Sequence, residues 1–351
     1  MEIFNMSDIN SIAVKSVSGT TASIKREHLT INNKTVSSFE LYIRNHEGQI
    51  FQPILKDSIK WETSRKDSPG KLTFTVIKDD IISFNEGSIV IFKFNGMDVF
   101  YGYVFEKTRD KDHHIKVLAY DQIRYLKNKH TYIYKGKTAN ELVSMIAEDF
   151  GLNVGELSDT GFKLGLRIED DNSLMDIIQF AISETCLNTG QLFTLFDSFG
   201  KITLKNIKDL VINDLLINAD STQNFDYKTT LDNNVYNKIV LYKDEDKQRS
   251  FYVSQDAENI SRWGVLQFTE KLSGGDNPTN KANTMLSYFN KLARSLTLKN
   301  VFGDVRVRAG SSVYCQFDLG DIILNKLMLV DMATHNFSNQ SYFMDLVLIG
   351  L

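Results

Sequence analysis

The residues that look most able to do chemistry are Gly136-Lys137-Thr138, which read like the end of a phosphate-binding loop opening a helix. A complete loop of that kind needs a glycine five residues before the second one, so that consecutive backbone N–H groups can cradle phosphate. That position is Thr131, and Tyr132-Ile133-Tyr134 is bulky where the amides would converge. Thr138 is better placed as a helix cap. His46-Glu47 begins like the zinc-binding HExxH pattern, but position 50 is Ile50, and Gly48 breaks any helix between them. His113 and His114 are adjacent, so on a strand they would face opposite sides, and a solvated turn after Thr108-Arg109-Asp110-Lys111-Asp112 fits them better. Acidic clusters occur at Asp79-Asp80, Glu169-Asp170-Asp171 and Asp244-Glu245-Asp246. Glycoside hydrolysis needs two carboxylates facing each other across a cleft with one pKa raised, whereas each of these clusters sits where a turn or helix start wants charge. Neither GxGxxG nor GxSxG occurs, and Cys186 and Cys315 are the only cysteines, too far apart to suggest a disulfide framework or zinc site. No catalytic residue, cofactor or metal site is expected.

Composition narrows the classes further. With 351 residues the chain exceeds the roughly 250–300 at which one core usually splits, so two or three domains are expected. Its 44 acidic and 40 basic residues nearly balance, and no long basic run or Lys/Arg–aromatic alternation marks a nucleic-acid groove. The N-terminal MEIFNMSDINSIAVKS lacks a basic segment followed by an apolar core, and no run approaches the ~18 apolar residues of a membrane span, so neither a secretion signal nor membrane association is expected.

The elements that position these residues follow from periodicity. Residues 1–35 are polar, weakly patterned and read as an N-terminal arm. From Phe39 a period of two sets in, and Asn95-Gly96 supplies the two positive-φ positions of a tight hairpin, SIVIFKF-NG-MDVFYGYVF. Its strands are apolar on both faces: Val90, Phe92 and Phe94 oppose Ile89 and Ile91, and Val99, Tyr101, Tyr103 and Phe105 oppose Phe100 and Val104. A doubly apolar hairpin needs cover on its second side, from this chain or from another subunit, which makes Phe92, Phe94, Phe100, Tyr101 and Tyr103 candidates for packing or an interface.

Strand 115–120 then leads into a charged link that reads as a domain hinge, with Tyr120, Asp121, Tyr125, Leu126, Thr138 and Glu141 its marked residues. Thr138-Ala-Asn-Glu141 is a capping box, Leu142, Met145, Ile146 and Phe150 form the apolar stripe behind it, and Gly151 suits the left-handed terminus. A second helix begins at Ser173, and two strands follow about Asp197-Ser-Phe-Gly200. Helix, helix and hairpin make a small α+β unit. After a mixed stretch the sheet pattern resumes at 237–242 and 250–253, Asn277-Pro278 opens a third helix, and strands are expected at 305–308, 312–317, 327–334 and 342–349. Trp263-Gly264 reads as the start of a strand, where a Trp beside Gly reports close packing or, alternatively, a partner interface.

Four segments carry a family resemblance: YDQIRYL at 120–126, TANELVSMIAEDFGL at 138–152, SLMDIIQFAISET at 173–185 and RWGVLQ at 262–267. In order and spacing they resemble the XkdQ-like, gene-D-like late control hub proteins of contractile phage tails and phage-tail-like bacteriocins, from about Val36 onward. The resemblance implies a mainly β, α+β protein with two tail-tube-type antiparallel β-barrels flanking a small α+β domain. The domains would be 36–125, 126–206 and 207–351, the last comprising a linker and a second tube-type domain with one helix. It implies a non-enzymatic homotrimeric baseplate hub that adapts a six-fold tail tube to a three-fold spike or needle around a central channel. Its implied partners are the tail tube or tube-initiator protein, the spike, a LysM-bearing baseplate protein and the tape-measure protein, with no specific nucleic-acid binding. Such a protein would be a late-expressed component of a virion or tail-like particle assembled in the host cytoplasm. The competing class is a cell-wall hydrolase or glycan-binding tail component, for which the chain is too short to add a lytic domain to the others.

Overall fold

At Asn95 and Gly96 the backbone takes φ of 50° and 76°, and the strands on either side pair as a hairpin, as the local sequence requires. The structure, a computed structural model, describes residues 38–66, 68–245, 248–272, 277–338 and 341–350. The expected N-terminal arm over residues 1–35 lies outside the described residues.

The first β region comprises β1 (Phe39–Arg44), β2 (Ile50–Phe51), β3 (Ile59–Ser64), β4 (Lys71–Ile77), β5 (Ile89–Phe94), β6 (Met97–Arg109) and β7 (His114–Tyr120). The middle comprises β8 (Lys129–Tyr134), α1 (Ala139–Asp149), β9 (Val154–Leu157), β10 (Arg167–Ser173), α2 (Leu174–Thr189), β11 (Phe193–Asp197) and β12 (Ile202–Asn206). The last part holds β13 (Val211–Asn218), β14 (Asn224–Thr230), β15 (Lys238–Glu245), β16 (Gln248–Gln255), α3 (Ala257–Trp263), β17 (Gln267–Lys271), α4 (Pro278–Phe289), β18 (Ala293–Phe302), β19 (Ser312–Asp318), β20 (Ile323–Phe337) and β21 (Tyr342–Gly350). The protein is mainly β with few helices.

The first and last β regions are one 13-stranded sheet, in the order β14-β18-β21-β20-β3-β4-β7-β6-β5-β1-β2, with β19 and β13 branching from β20. Two barrels are expected from the resemblance, yet no strand pairing among the described residues closes either region. The two regions are instead joined by β20, which is fifteen residues long. Its first half pairs with β19 and its second half with β3. Its register against β21 shifts between Val330 and Met332, and there Arg65 holds the Asp331 carboxylate at 3.0 Å. The bulge lets one strand leave one neighbour for another without breaking. As a result Phe337 of β20 packs in the core of the first region, while Met328, Val330 and Ala333 pack in the core of the last.

Three local expectations are corrected. Val99 does not share a face with Tyr101, because a register shift inserts one extra β6 residue opposite Phe92 and Lys93, burying both Val99 and Phe100. Residues 305–308 are not a strand but a turn at 305–306 followed by irregular chain, because Asp304 accepts from the backbone N–H of Arg306 and competes with any ladder. Trp263 ends helix α3 rather than starting a strand: Asp256 caps that helix, and Gly264 at φ 77° stops it.

The middle and last parts also hold strands that short polar runs concealed. β8 pairs with β10, and β9 runs parallel to β12. Strands β16, β15 and β17 form their own sheet, packed on α4 through Ile239, Leu241, Ala282 and Met285. Among the described residues no helix is long and apolar enough to cross a membrane.

Candidate functional site

The β7–α1 stretch, read as a hinge, lies where the parts of the chain meet. Asp121 caps a 3-10 turn, Gln122–Lys127, by accepting from the backbone N–H of Ile123 at 3.1 Å. Its other oxygen accepts from Gly70 N at 2.9 Å, between β3 and β4. A Cβ on Gly70 would lie 2.3 Å from that oxygen, so only glycine allows this approach. On the facing side Asp197 ends β11 and accepts from Gly200 N at 2.6 Å. Arg308, from the turn before β19, donates to the Asp197 carbonyl at 3.0 Å and lies over Phe196, 4.0 Å from its ring centre. Gly310, at φ 92°, presses on Thr194 so closely that a Cβ would sit 2.7 Å away. Both regions of the large sheet and the α+β unit are thus pinned at one point. Burial pushes the Asp121 carboxyl well above the usual carboxylate range, and neighbouring Asp197 adds to the push. Burial raises Asp197 as well, and lowers Arg308 to about 10. The cavity between them measures about 20 Å³, far too small for a substrate.

The remaining marked residues fall around this point. Tyr120 packs edge-on against Phe105, and Tyr125 lies 5.7 Å from Tyr103 and 6.0 Å from Phe105. Tyr101 meets Phe199 of the β11–β12 turn at 5.8 Å. The second face of the hairpin is therefore covered in part by the same chain. Phe92, Phe94 and Phe100 are buried in the core, and Leu126 is buried in the α+β core. Trp263 is half-buried and Gly264 exposed, the latter with its carbonyl held by the buried Asn237 side chain at 2.7 Å.

Among the described residues most of the suspected chemical motifs are engaged structurally. Thr138 Oγ1 accepts from Glu141 N at 3.4 Å, and Glu141 Oε2 accepts from Thr138 N at 2.9 Å, completing the capping box. Gly136 N donates to Leu164 O, and Ala139 N donates to Thr160 Oγ1, so these amides are turned away from any phosphate. Glu169 is buried and held by Tyr134, Arg167 and Asn172. Asp170 accepts from Thr131, and Asp171 pairs with Lys129. Arg249 and Lys271 hold the Asp244 carboxyl down at about 2. Asp79 accepts from the N–H groups of Ile81 and Ile82, and Asp80 is exposed. His46 contacts the Glu86 carbonyl. Asp110, Asp112 and His114 come close enough to suggest a cation, but Lys56 Nζ already lies 3.2 Å from His114 Nδ1. Both thiols are buried, which pushes Cys186 up to about 11 and Cys315 up to about 12 and leaves them unreactive.

Two buried ionisable groups were not visible in the sequence. His335 lies between Tyr342 Oη at 2.8 Å and the Val307 carbonyl at 2.7 Å, stacked on Trp61. Burial lowers it to about 4, so it is neutral. Lys281 of α4 is fully buried and reaches Glu184 of α2 at 3.0 Å and Glu270 of β17 at 3.1 Å. Neither spacing nor periodicity distinguishes a His in an apolar strand or a Lys on a helix that turns inward.

The YqbQ-like family matches residues 59–349, from β3 through β21. The chain belongs to that family. It is similar to the phage-like element PBSX protein XkdQ of Bacillus subtilis (strain 168), with 26% identity over 300 residues covering 83% of this chain and 91% of that one. The YqbQ-like fold extends to solved structures. The 43 kDa tail protein of prophage MuSo2 from Shewanella oneidensis superposes with a TM-score of 0.64 at 14% identity, covering 89% of this chain and 98% of that one. An Escherichia coli component of the type VI secretion system, described as structurally similar to the T4 bacteriophage tail proteins gp27 and gp5, superposes with a TM-score of 0.57 at 12% identity, covering 89% and 77%. The likeness shows a common fold that includes the α+β unit and both β regions.

Proposed function

We propose that this YqbQ-like chain is a structural component of a phage or prophage tail, and specifically a baseplate hub. In this reading three copies form a ring that adapts a six-fold tube to a three-fold spike around a central channel. The observation that carries the reading is the fold it shares, over nearly nine-tenths of its length, with a prophage tail protein and a secretion-system component likened to gp27 and gp5. Two further features support it. In sequence two β regions flank an α+β unit, the arrangement this adaptor reading needs, and the joint between them is pinned rather than open. Every acidic cluster with a described partner is bound in a turn, a cap or an ion pair, so the role proposed is non-enzymatic. The tube, spike, LysM-bearing and tape-measure proteins are its proposed neighbours, and the assembled particle its proposed location.

The test is the mass and symmetry of the chain, alone and with a candidate spike protein, by light scattering and electron microscopy. Three copies about a three-fold axis are expected. A monomer under both conditions, or six copies per particle, would overturn the hub assignment.

A further inference from the structure

Among the described residues, four buried side-chain polar atoms have no protein partner: Thr194 Oγ1, Asp197 Oδ2, Arg308 Nε and Ser312 Oγ. They come from two segments only, β11 and the 308–312 stretch, which the Arg308–Asp197 hydrogen bond and the Gly310–Thr194 contact hold together. An unpaired buried polar group is destabilising, so concentrating them here points to something that pairs with them. The adjoining cavity of about 20 Å³ is walled by Asp121, Asp197, Arg308, Thr63, Ser64 and Ser68 among others. One water needs roughly 10–15 Å³ and two to four polar partners, and a hydrated ion or organic ligand needs far more.

We propose that this cavity is a hydration site in which one internal water joins Asp197 Oδ2 to Arg308 Nε, and that Asp121 and Asp197 share one proton across it, so that the joint between the α+β unit and both β regions is a pH-dependent lock. Two carboxylates and one guanidinium carry a net negative charge if both acids ionise; the N–H groups of Gly70, Ile123 and Gly200 and the Gln122 donors offset part of that cost, and a single shared proton removes the remaining charge. Among the described residues the charged or titratable groups facing the pair are Arg308, Arg65 just after β3, and Tyr103 from β6. Arg65 is engaged by Asp331 and is not free to neutralise the second acid. The closed joint then keeps a proton that an opened, solvated joint gives up above the ordinary carboxylate range. Locking weakens as pH rises through the raised range, and the opening equilibrium grows by up to about tenfold per pH unit. The site lies within a single chain and does not depend on the trimer.

The test uses the full-length chain. A high-resolution crystal structure should place a water within hydrogen-bond distance of both Asp197 Oδ2 and Arg308 Nε. Infrared spectra at about pH 6.5, above the ordinary carboxylate range, should show the carbonyl band of a protonated buried acid, lost in both Asp121→Asn and Asp197→Asn. Amide exchange at Gly70 and Gly200, corrected for intrinsic rates, should rise with pH in the wild type and flatten in Asp197→Asn. A direct Arg308–Asp197 ion pair across a dry cavity, or a wild-type spectrum without the protonated-acid band, overturns the proposal. Because those two observations need only the wild type, an unstable variant does not protect it.

Discussion

Phe337→Ala tests whether the two β regions are one cooperative structure. Phe337 belongs to β20, whose first half packs in the last region's core, yet its own ring is fully buried in the first region's core. It lies 4.4 Å from Tyr342, 5.0 Å from Phe92 and 5.1 Å from Phe94. Removing a buried Phe ring costs about 3–5 kcal/mol through lost transfer energy and the cavity left behind, and the surrounding rings have little room to collapse because they are already packed on one another. That is a large part of the ~5–15 kcal/mol typical of a folded domain. The assay is urea unfolding followed both by far-ultraviolet circular dichroism and by fluorescence, read in a Trp263→Phe background so that buried Trp61 alone reports the first region. Because β20 joins both cores, the two probes should report one transition in the wild type, and the variant should shift both midpoints together. A cost below about 1 kcal/mol, or a shift confined to one of two separate transitions, would refute the shared core.

Thr138→Ala removes the helix cap and should lower stability by about 0.5–2 kcal/mol in the same urea assay, with ATP or GTP making no difference to either protein, since the backbone amides of Gly136 and Ala139 are already engaged. His335 is fully buried and lowered to about 4. The unfolded chain takes up its proton from about pH 6.5 downward while the folded chain does not, so stability should fall as pH drops from about 6.5 to 4, by about 3 kcal/mol in all. Asp121 and Asp197 act in the opposite sense over carboxylate pH, so the measurement is the difference between wild type and His335→Gln, which should lack this component; equal pH profiles would refute the neutral buried His.

Much of the local structure was legible because it depends on near neighbours in the chain. The capping box at Thr138 and Glu141, the Ser173 cap, the Asn95-Gly96 turn and the Pro278 helix start each require only three or four consecutive residues of the right type. The failures have the same logic in reverse. β8 and β10 carry His130, Thr131, Glu169 and Asp170, a polar run with no alternation, and they become strands because each is the other's partner. Trp263 was misread because the Asp256 cap that starts its helix is a weak signal without a long apolar stripe behind it.

The candidate site divides in the same way. Asp121 stood out in the sequence as part of a joint, but its partner Gly70 lies 51 positions away, and Asp197 and Arg308 come from different segments again. By itself the sequence determined which stretches form helices and tight turns, that no familiar catalytic motif is complete, and that the chain resembles a tail-hub family. Only the tertiary structure decided that β20 would belong to two cores, that the barrels expected from that resemblance would appear as one continuous sheet, and that two acids and an arginine would meet where the regions join. Caps and turns are settled by hydrogen bonds a few residues long. Strand pairing and buried charge depend on which distant segment arrives to satisfy them, and no local pattern encodes that arrival.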